Sequence, residues 1–216
     1  MKKIALLMFG LACTGAAQTA GSLGIFEGAS DVGTPSHKGS VVYDAVRKEY
    51  RVTGGGENMW AARDDFFFLW RKVTGDVAIT ANLRIISDGA PHRKAVLVIR
   101  KDLEPGAVYA DAVVHGSGLT ALQWREKADD VTRTVHFPVE GPTRLRLERR
   151  RNVVTLFAGK EGGALTEIGN TEMAPFSPMY AGLGVCAHDD KAETTALFSD
   201  VSVEVLAPPA AAASKK

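Results

Sequence analysis

The sequence predicts an all-β protein, an antiparallel two-sheet jelly-roll sandwich. Three observations carry this. About a dozen short segments between residues 40 and 206 alternate apolar and polar side chains with the two-residue period of a strand. Turn chemistry separates them, in GDV, SDGAPH, LEPGA, HGSG, EGPT, GKEGG and SPM. No segment holds a 3.6-residue apolar period long enough for a long helix, so crossover helices are excluded and antiparallel packing remains.

The chain opens on Lys2 and Lys3, followed by the apolar run Ile4–Ala12. That run is too short to span a bilayer, which takes about 20 residues. Small residues at Gly15, Ala16 and Ala17 complete a signal-peptide pattern over residues 1–17, with Gln18 opening the mature chain. The expectation is a periplasmic or secreted protein without a transmembrane segment. Cys13 offers a second reading as the lipid-bearing residue of a lipoprotein. Gly10, however, sits where such signals carry an aliphatic residue. With the leader gone, Cys186 is the only cysteine, so no intrachain disulfide staples the fold.

Residues 18–206 are expected to form one sandwich domain. The chain has 216 residues, 45% of them hydrophobic and 24% charged, enough for one sizeable core. The Gly-rich stretch Gly21–Lys38 reads as loops with an edge strand at Gly24–Phe26. SVVYDAVRKEYRVTG reads as a hairpin of Val41–Tyr43 and Tyr50–Thr53. Phe66–Gly75 places Phe66, Phe68 and Trp70 on one face. In DVAITANLRII, Ile79, Ala81, Leu83 and Ile85 face one way and Thr80, Asn82 and Arg84 the other. Further strands are expected at Ala95–Arg100, Val108–His115, Leu119–Arg125, Val131–Phe137, Thr143–Arg149, Val153–Ala158, Thr166–Thr171, Ala181–Ala187 and Ala196–Leu206. The tail APPAAAASKK, residues 207–216, has no apolar pattern and is expected to be disordered.

Charge excludes one class of function. The formal charge is +1, and removing the leader removes two lysines and no acid, leaving −1. A nucleic-acid binder usually shows a basic excess. The arginines of TRLRLERRR alternate with Leu145 and Leu147, so Arg144, Arg146, Glu148 and Arg150 read as the solvated face of a strand.

Residue parity points to a site between Gly54 and Arg125. Lys94, Val96, Val98 and Arg100 share a strand face, as do Tyr109, Asp111, Val113 and His115, and Gln123 with Arg125. Polar groups thus recur on one side of neighbouring strands, which predicts a polar groove with Glu57, Asn58 and His92 at its rim. In GGGENMW, three glycines permit close backbone approach, and Glu57, Asn58 and Trp60 supply the carboxylate, amide and aromatic ring that recognise a sugar. A tight hairpin with Trp60 as a core plug is the competing reading. His115 and His188 are the candidates for proton transfer, since histidine alone titrates near neutrality unperturbed. Tyr109 and Arg100 complete a candidate catalytic set with His115. Glu57, Asn58, Trp60, His92, Asp111, Gln123, Arg125 and His188 form the candidate binding set.

No pair of ligands has metal-site spacing, so no metal or other cofactor is expected, a structural calcium at loop carboxylates excepted. A G-x-S-x-G elbow is missing. So is the E-x-D-x-x-E strand of sandwich-fold retaining glucanases, whose carboxylates sit about 5 Å apart.

Four motifs in order, YDAVRKEYRVTGGGENMWAARDDFFFLWRKVTGDV, PHRKAVLVIR, VYADAVVHGSGLTALQWRE and GVCAHDD, resemble a bacterial TolB-like family, also labelled "biopolymer transporter TolR". That family falls in the concanavalin A-like lectin/glucanase superfamily. The resemblance runs from about Gly24 to Val205 and implies an exported jelly roll; it supplies no catalytic residues. Three functions are left: recognition of a carbohydrate or glycan, processing of one by a lyase or atypical glycosidase, and an envelope scaffold that docks a partner.

Overall fold

The computed structural model describes residues 22–139 and 141–207, so the expected leader, Cys13, the expected cleavage point at Gln18 and nearly all of the tail lie outside the described residues. In chain order the strands are β1 (Gly28–Val32), β2 (Ser40–Asp44), β3 (Glu49–Gly54), β4 (Met59–Trp60), β5 (Arg63–Asp64), β6 (Phe66–Val73), β7 (Val77–Ile85) and β8 (Lys94–Arg100). They continue with β9 (Tyr109–His115), β10 (Thr120–Arg125), β11 (Arg133–Phe137), β12 (Arg144–Arg150), β13 (Val153–Gly159), β14 (Thr166–Glu172), β15 (Met179–Cys186) and β16 (Thr194–Val205). Among the described residues there is no helix.

Two seven-stranded antiparallel sheets face each other. The front sheet has the order β1-β6-β15-β8-β9-β10-β11, and the back sheet β14-β13-β12-β7-β16-β3-β2. The core between them collects one phase of each strand. Leu97 and Ile99 of β8, Ala112 of β9, Leu122 of β10 and Leu69 of β6 meet Ile79, Ala81, Leu145, Leu147, Leu156 and Phe198 of the back sheet. Because these positions are two apart, the opposite phase must point away from this core.

One expected element moves. Gly24–Phe26 forms a turn, closed by Phe26 N–H donating to Leu23 O, and the edge strand is β1, a few residues later. Phe26 is buried against Tyr50. The ring acts as a plug at the sheet margin, and pairing with β6 begins only at Gly28.

The outer face of the front sheet carries a second, smaller apolar cluster. Phe66 and Phe68 of β6, Val96 and Val98 of β8, Val113 of β9 and Ala121 of β10 pack with Met59 and Cys186. Met59 belongs to the two-stranded ribbon β4–β5, which folds over this face. The glycines of YAGLGVC make room there, since a Cβ at Gly184 would meet Val96 Cγ2 at 2.7 Å and Phe66 Cε2 at 2.8 Å.

Candidate functional site

Register turns the outer face into cross-strand rows. Arg100, Tyr109 and Arg125 are direct neighbours across β8, β9 and β10. Asp111 lies between Val98 and Gln123, and Lys94 opposes His115. The residues expected to share a face therefore do share it. What covers them differs from one end to the other.

At the Arg100 end the ribbon closes the face completely. Arg100, Tyr109, Asp111 and Arg125 are all fully buried. Arg125 grips Asp64 of β5 with both terminal nitrogens, Nη2 to Oδ1 at 2.7 Å and Nη1 to Oδ2 at 2.9 Å, and Arg100 Nη1 donates to the same Oδ2 at 2.7 Å. The remaining guanidinium protons go to backbone carbonyls and, from Arg125 Nη2, to Thr132 Oγ1 at 3.2 Å. Arg100 serves Asp102 and Glu104, and Arg125 serves Ala61, Pro105, Ala107 and Asp130. Tyr109 lies between the two guanidiniums, 5.6 and 5.0 Å from its ring, and shares a 3.2 Å hydrogen bond with Thr132. This is a clamp that staples the ribbon to the sheet. An open groove lined by Arg100, Tyr109, Asp111 and Arg125 is not present; each contacts protein on all sides.

The glycine triplet serves the same closure. A Cβ on Gly54 would meet Val185 O at 2.4 Å, one on Gly55 His37 O at 2.6 Å, and one on Gly56 Asp65 O at 1.9 Å. Gly56 also has φ of +98°, a conformation natural to glycine. The close approach that glycine permits is to the chain's own backbone.

Asp111 sits between the clamp and the open end. Neither of its carboxylate oxygens has a hydrogen-bond partner among the described residues. Burial pushes its carboxyl up to about 8, against the pull of the Lys94 charge. It therefore holds a proton at neutral pH.

At the Lys94 end the face opens into a cavity of about 310 Å³, lined by Asn58, Trp60, His92, Lys94, His115, Leu119, Gln123, Thr134, His136 and His188. The Lys94 ammonium is buried and spends its three protons on Met59 O at 2.7 Å, Asn58 Oδ1 at 2.9 Å and Gln123 Oε1 at 3.3 Å. Desolvation lowers its pKa, opposed by Asp111. Asn58 in turn donates from Nδ2 to His188 Nε2 at 3.2 Å. Trp60 is partly exposed, its ring 5.9 Å from Lys94 Nζ.

His115 Nδ1–H donates to Leu119 O at 2.9 Å, which fixes the neutral tautomer and leaves Nε2 as the acceptor. Burial drives its pKa down to about 4, and the Lys94 and His92 charges push the same way. His188 is also lowered, mainly by desolvation. The rings of His92 and His115 are 5.6 Å apart, and those of His92 and His188 5.5 Å. Among the described residues no group of three or more His, Cys, Asp or Glu side chains is arranged to hold a metal ion.

A larger cavity of about 840 Å³ adjoins this one, sharing Asn58, Trp60 and His188 and adding the acids Glu57, Asp64, Asp65, Asp189 and Asp190 and the cations Arg63 and Lys191. Glu57 lines only this acidic basin. Asp190 there accepts from Ser36 Oγ at 2.6 Å and Ser36 N at 3.0 Å.

The structure thus brings Asn58, Trp60, His92, His115, Gln123 and His188 to one opening and seals Arg100, Tyr109, Asp111 and Arg125 beneath the ribbon. Sequence reasoning passed over Asp64, Thr134 and His136. Two buried arginines on one face demand a carboxylate, and RDD just before the FFFLW strand was the place to find it. Thr134 and His136 share one phase of β11, opposite Gln123 and Ala121, a pairing visible only once β11 is known to flank β10.

No protein-family model matches the chain and no curated protein matches it by sequence, so neither supports the TolB-like resemblance. Solved structures do match in fold. A functionally unknown protein from Saccharomyces cerevisiae aligns with TM-score 0.64 at 14% identity, over 83% of this chain and 97% of that one. Carbohydrate binding module CBM66 from Bacillus subtilis aligns with TM-score 0.55 at 14% identity, over 83% and 97%. A prokaryotic β-1,3-1,4-glucanase (lichenase) from a mouse hindgut metagenome aligns with TM-score 0.52 at 9% identity, over 82% and 93%. The class the fold defines is therefore the antiparallel two-sheet jelly-roll sandwich. At these identities the likeness is one of fold alone.

Proposed function

We propose that this chain is a glycan-binding module, and that the cavity between Trp60 and the His92–His115–His188 cluster receives the sugar. The observation that carries this reading is the meeting of a partly exposed indole with amides and imidazoles at one opening. An aromatic face covers a pyranose ring, while fixed donors and acceptors take its hydroxyls. Likeness in fold to a carbohydrate binding module and a glucanase adds an associational argument.

Binding is favoured over turnover by what the cavity lacks. Its lining has no carboxylate to act as acid or nucleophile, and Tyr109, the acid a lyase reading needs, spends its hydroxyl on buried Thr132. His115 offers an unpartnered Nε2, but burial makes it a weak base. The leader pattern extends the proposal to an exported protein opening at Gln18, which N-terminal sequencing of periplasmic or secreted material tests directly.

A glycan array probed with the purified protein, each ligand then analysed by mass spectrometry, separates the readings. Binding without product is expected. Product formation would establish the processing enzyme instead, and silence across the array would leave the scaffold reading.

A further inference from the structure

The cavity's polar lining is biased by a single side chain. An ammonium donates and never accepts, so Lys94 takes the amide oxygens of Asn58 and Gln123. Their NH2 groups are then the ends left to meet other partners. That of Asn58 already donates toward His188. Lys94 thereby converts two ambivalent amides into donors. Around them stand four imidazoles, those of His92, His115, His136 and His188, and no carboxylate lines the cavity. Behind the wall, Lys94, Arg100 and Arg125 outnumber Asp64, while burial raises the Asp111 carboxyl to about 8 and so favours its neutral form.

The adjoining basin has the opposite character. Glu57, Asp65, Asp189 and Asp190 line it against two cations, Arg63 and Lys191, so its balance is acidic, and Trp60, Asn58 and His188 stand between the two. Negative charge is welcomed on one side of Trp60 and repelled on the other.

We propose that the histidine-lined cavity selects one acidic sugar residue, a carboxylate-bearing unit such as a uronate, carried by an otherwise neutral glycan. This rests on the glycan-binding reading and specifies its substrate class. A polyanionic chain that extended past Trp60 would set its next charge against the basin's excess of carboxylates and bind more weakly. The carboxylate accepts from the Gln123 amide that Lys94 orients, and its charge faces the Lys94 ammonium.

The test is calorimetric titration of the whole purified protein with four probes: glucuronosyl-xylobiose, its carboxyl-reduced counterpart glucosyl-xylobiose, trigalacturonate and free sulfate. The glucuronosyl probe should bind at least about tenfold more tightly than its reduced counterpart, and trigalacturonate and sulfate more weakly than either. Equal affinity for the first pair overturns the acidic specificity and leaves glycan binding standing. Tightest binding of trigalacturonate overturns the single-residue claim. Binding of sulfate alone, with none of the sugars, overturns both this proposal and the glycan reading.

Two variants locate the effect. Lys94→Met should remove the preference for the acid, weakening the glucuronosyl probe at least about tenfold more than the neutral one. Because Lys94 is buried, His136→Glu at the exposed rim is the second arm, and thermal melting confirms that each is folded. His136→Glu should weaken the acidic probe about tenfold more than the neutral one, and an unchanged preference in a folded His136→Glu protein overturns the assignment of the site.

Discussion

The two ends of the front sheet's outer face are made by the same three strands and end up opposite in character. At one end Arg100, Tyr109 and Arg125 form a row that Asp64 closes; at the other Lys94 and His115, themselves buried, form a row that lines a cavity beside Trp60. Both rows are polar and both were legible as alternation. The difference lies in the ribbon above them. Where it lays down a carboxylate, two guanidiniums bind it and the surface becomes interior. Where it lays down Asn58 and a backbone carbonyl, one ammonium is satisfied and space remains beside it. Polarity on a sheet face therefore does not distinguish a staple from a site; the partner supplied by the covering loop does.

The strongest way to break this comparison is to remove the staple. Asp64→Ala leaves two guanidiniums buried without a counter-charge, and losing one partner of such a set costs about 3–5 kcal/mol. Urea denaturation should show that loss, and limited proteolysis should show new cleavage near Ala61–Ala62. Glu57→Ala, an exposed change in the same loop, should stay within about 0.5 kcal/mol of the parent. Equal small effects from the two would mean that the ribbon is held by apolar packing of Met59 alone.

How far the sequence reached follows from what alternation encodes. Phase is local, so β7, β8 and β9, with long regular runs, were placed within a residue or so, and the common face of Arg100, Asp111 and Gln123 followed from it. Burial of that face is not local. It depends on a ribbon about 36 residues earlier than Arg100 delivering Asp64 to it, and no periodicity reports such a meeting. The same holds for His136, whose neighbours on β10 are set by sheet order. The glycine triplet implies close approach, and what lies close is the chain's own backbone, at Val185, His37 and Asp65.

A smaller effect sharpens the boundary between the two ends. Asp111 has its carboxyl raised from near 4 to about 8, so the folded protein keeps a proton that the unfolded chain releases. Stability from this group is complete below about pH 4 and is lost as pH rises toward 8, by up to about 1.4 kcal/mol per unit. His115 acts oppositely: its lowered pKa makes stability rise with pH between about 4 and 6.5. The two slopes offset each other in that window, leaving Asp111 to dominate from 6.5 to 8. Asp111→Asn should therefore gain on the parent by about 2 kcal/mol across that upper window, measured by paired denaturation curves. A constant difference at all pH values would mean that Asp111 is ionised throughout and paired with Lys94.

The smallest effect is spectroscopic and concerns the open end alone. A solvent-facing imidazole titrates near 6.5. His115 is nine-tenths or more shielded, and its Nδ1–H is committed to Leu119 O, so protonation would place a charge beside Lys94 with little water to support it. Its ring resonances should stay flat on acidification from pH 8 to 5 and move only toward pH 4. His115→Gln, which keeps a donor for Leu119 O, should leave the fold unchanged and remove only this signal. An inflection near 6.5 would instead mean that water reaches the ring freely, and the contrast between a sealed row and a merely narrowed one would then have to be drawn at Trp60 rather than at His115. Flat resonances that begin to titrate near neutrality when an acidic sugar is added would place the ligand's charge beside the ring, since a nearby anion stabilises the imidazolium and raises its pKa.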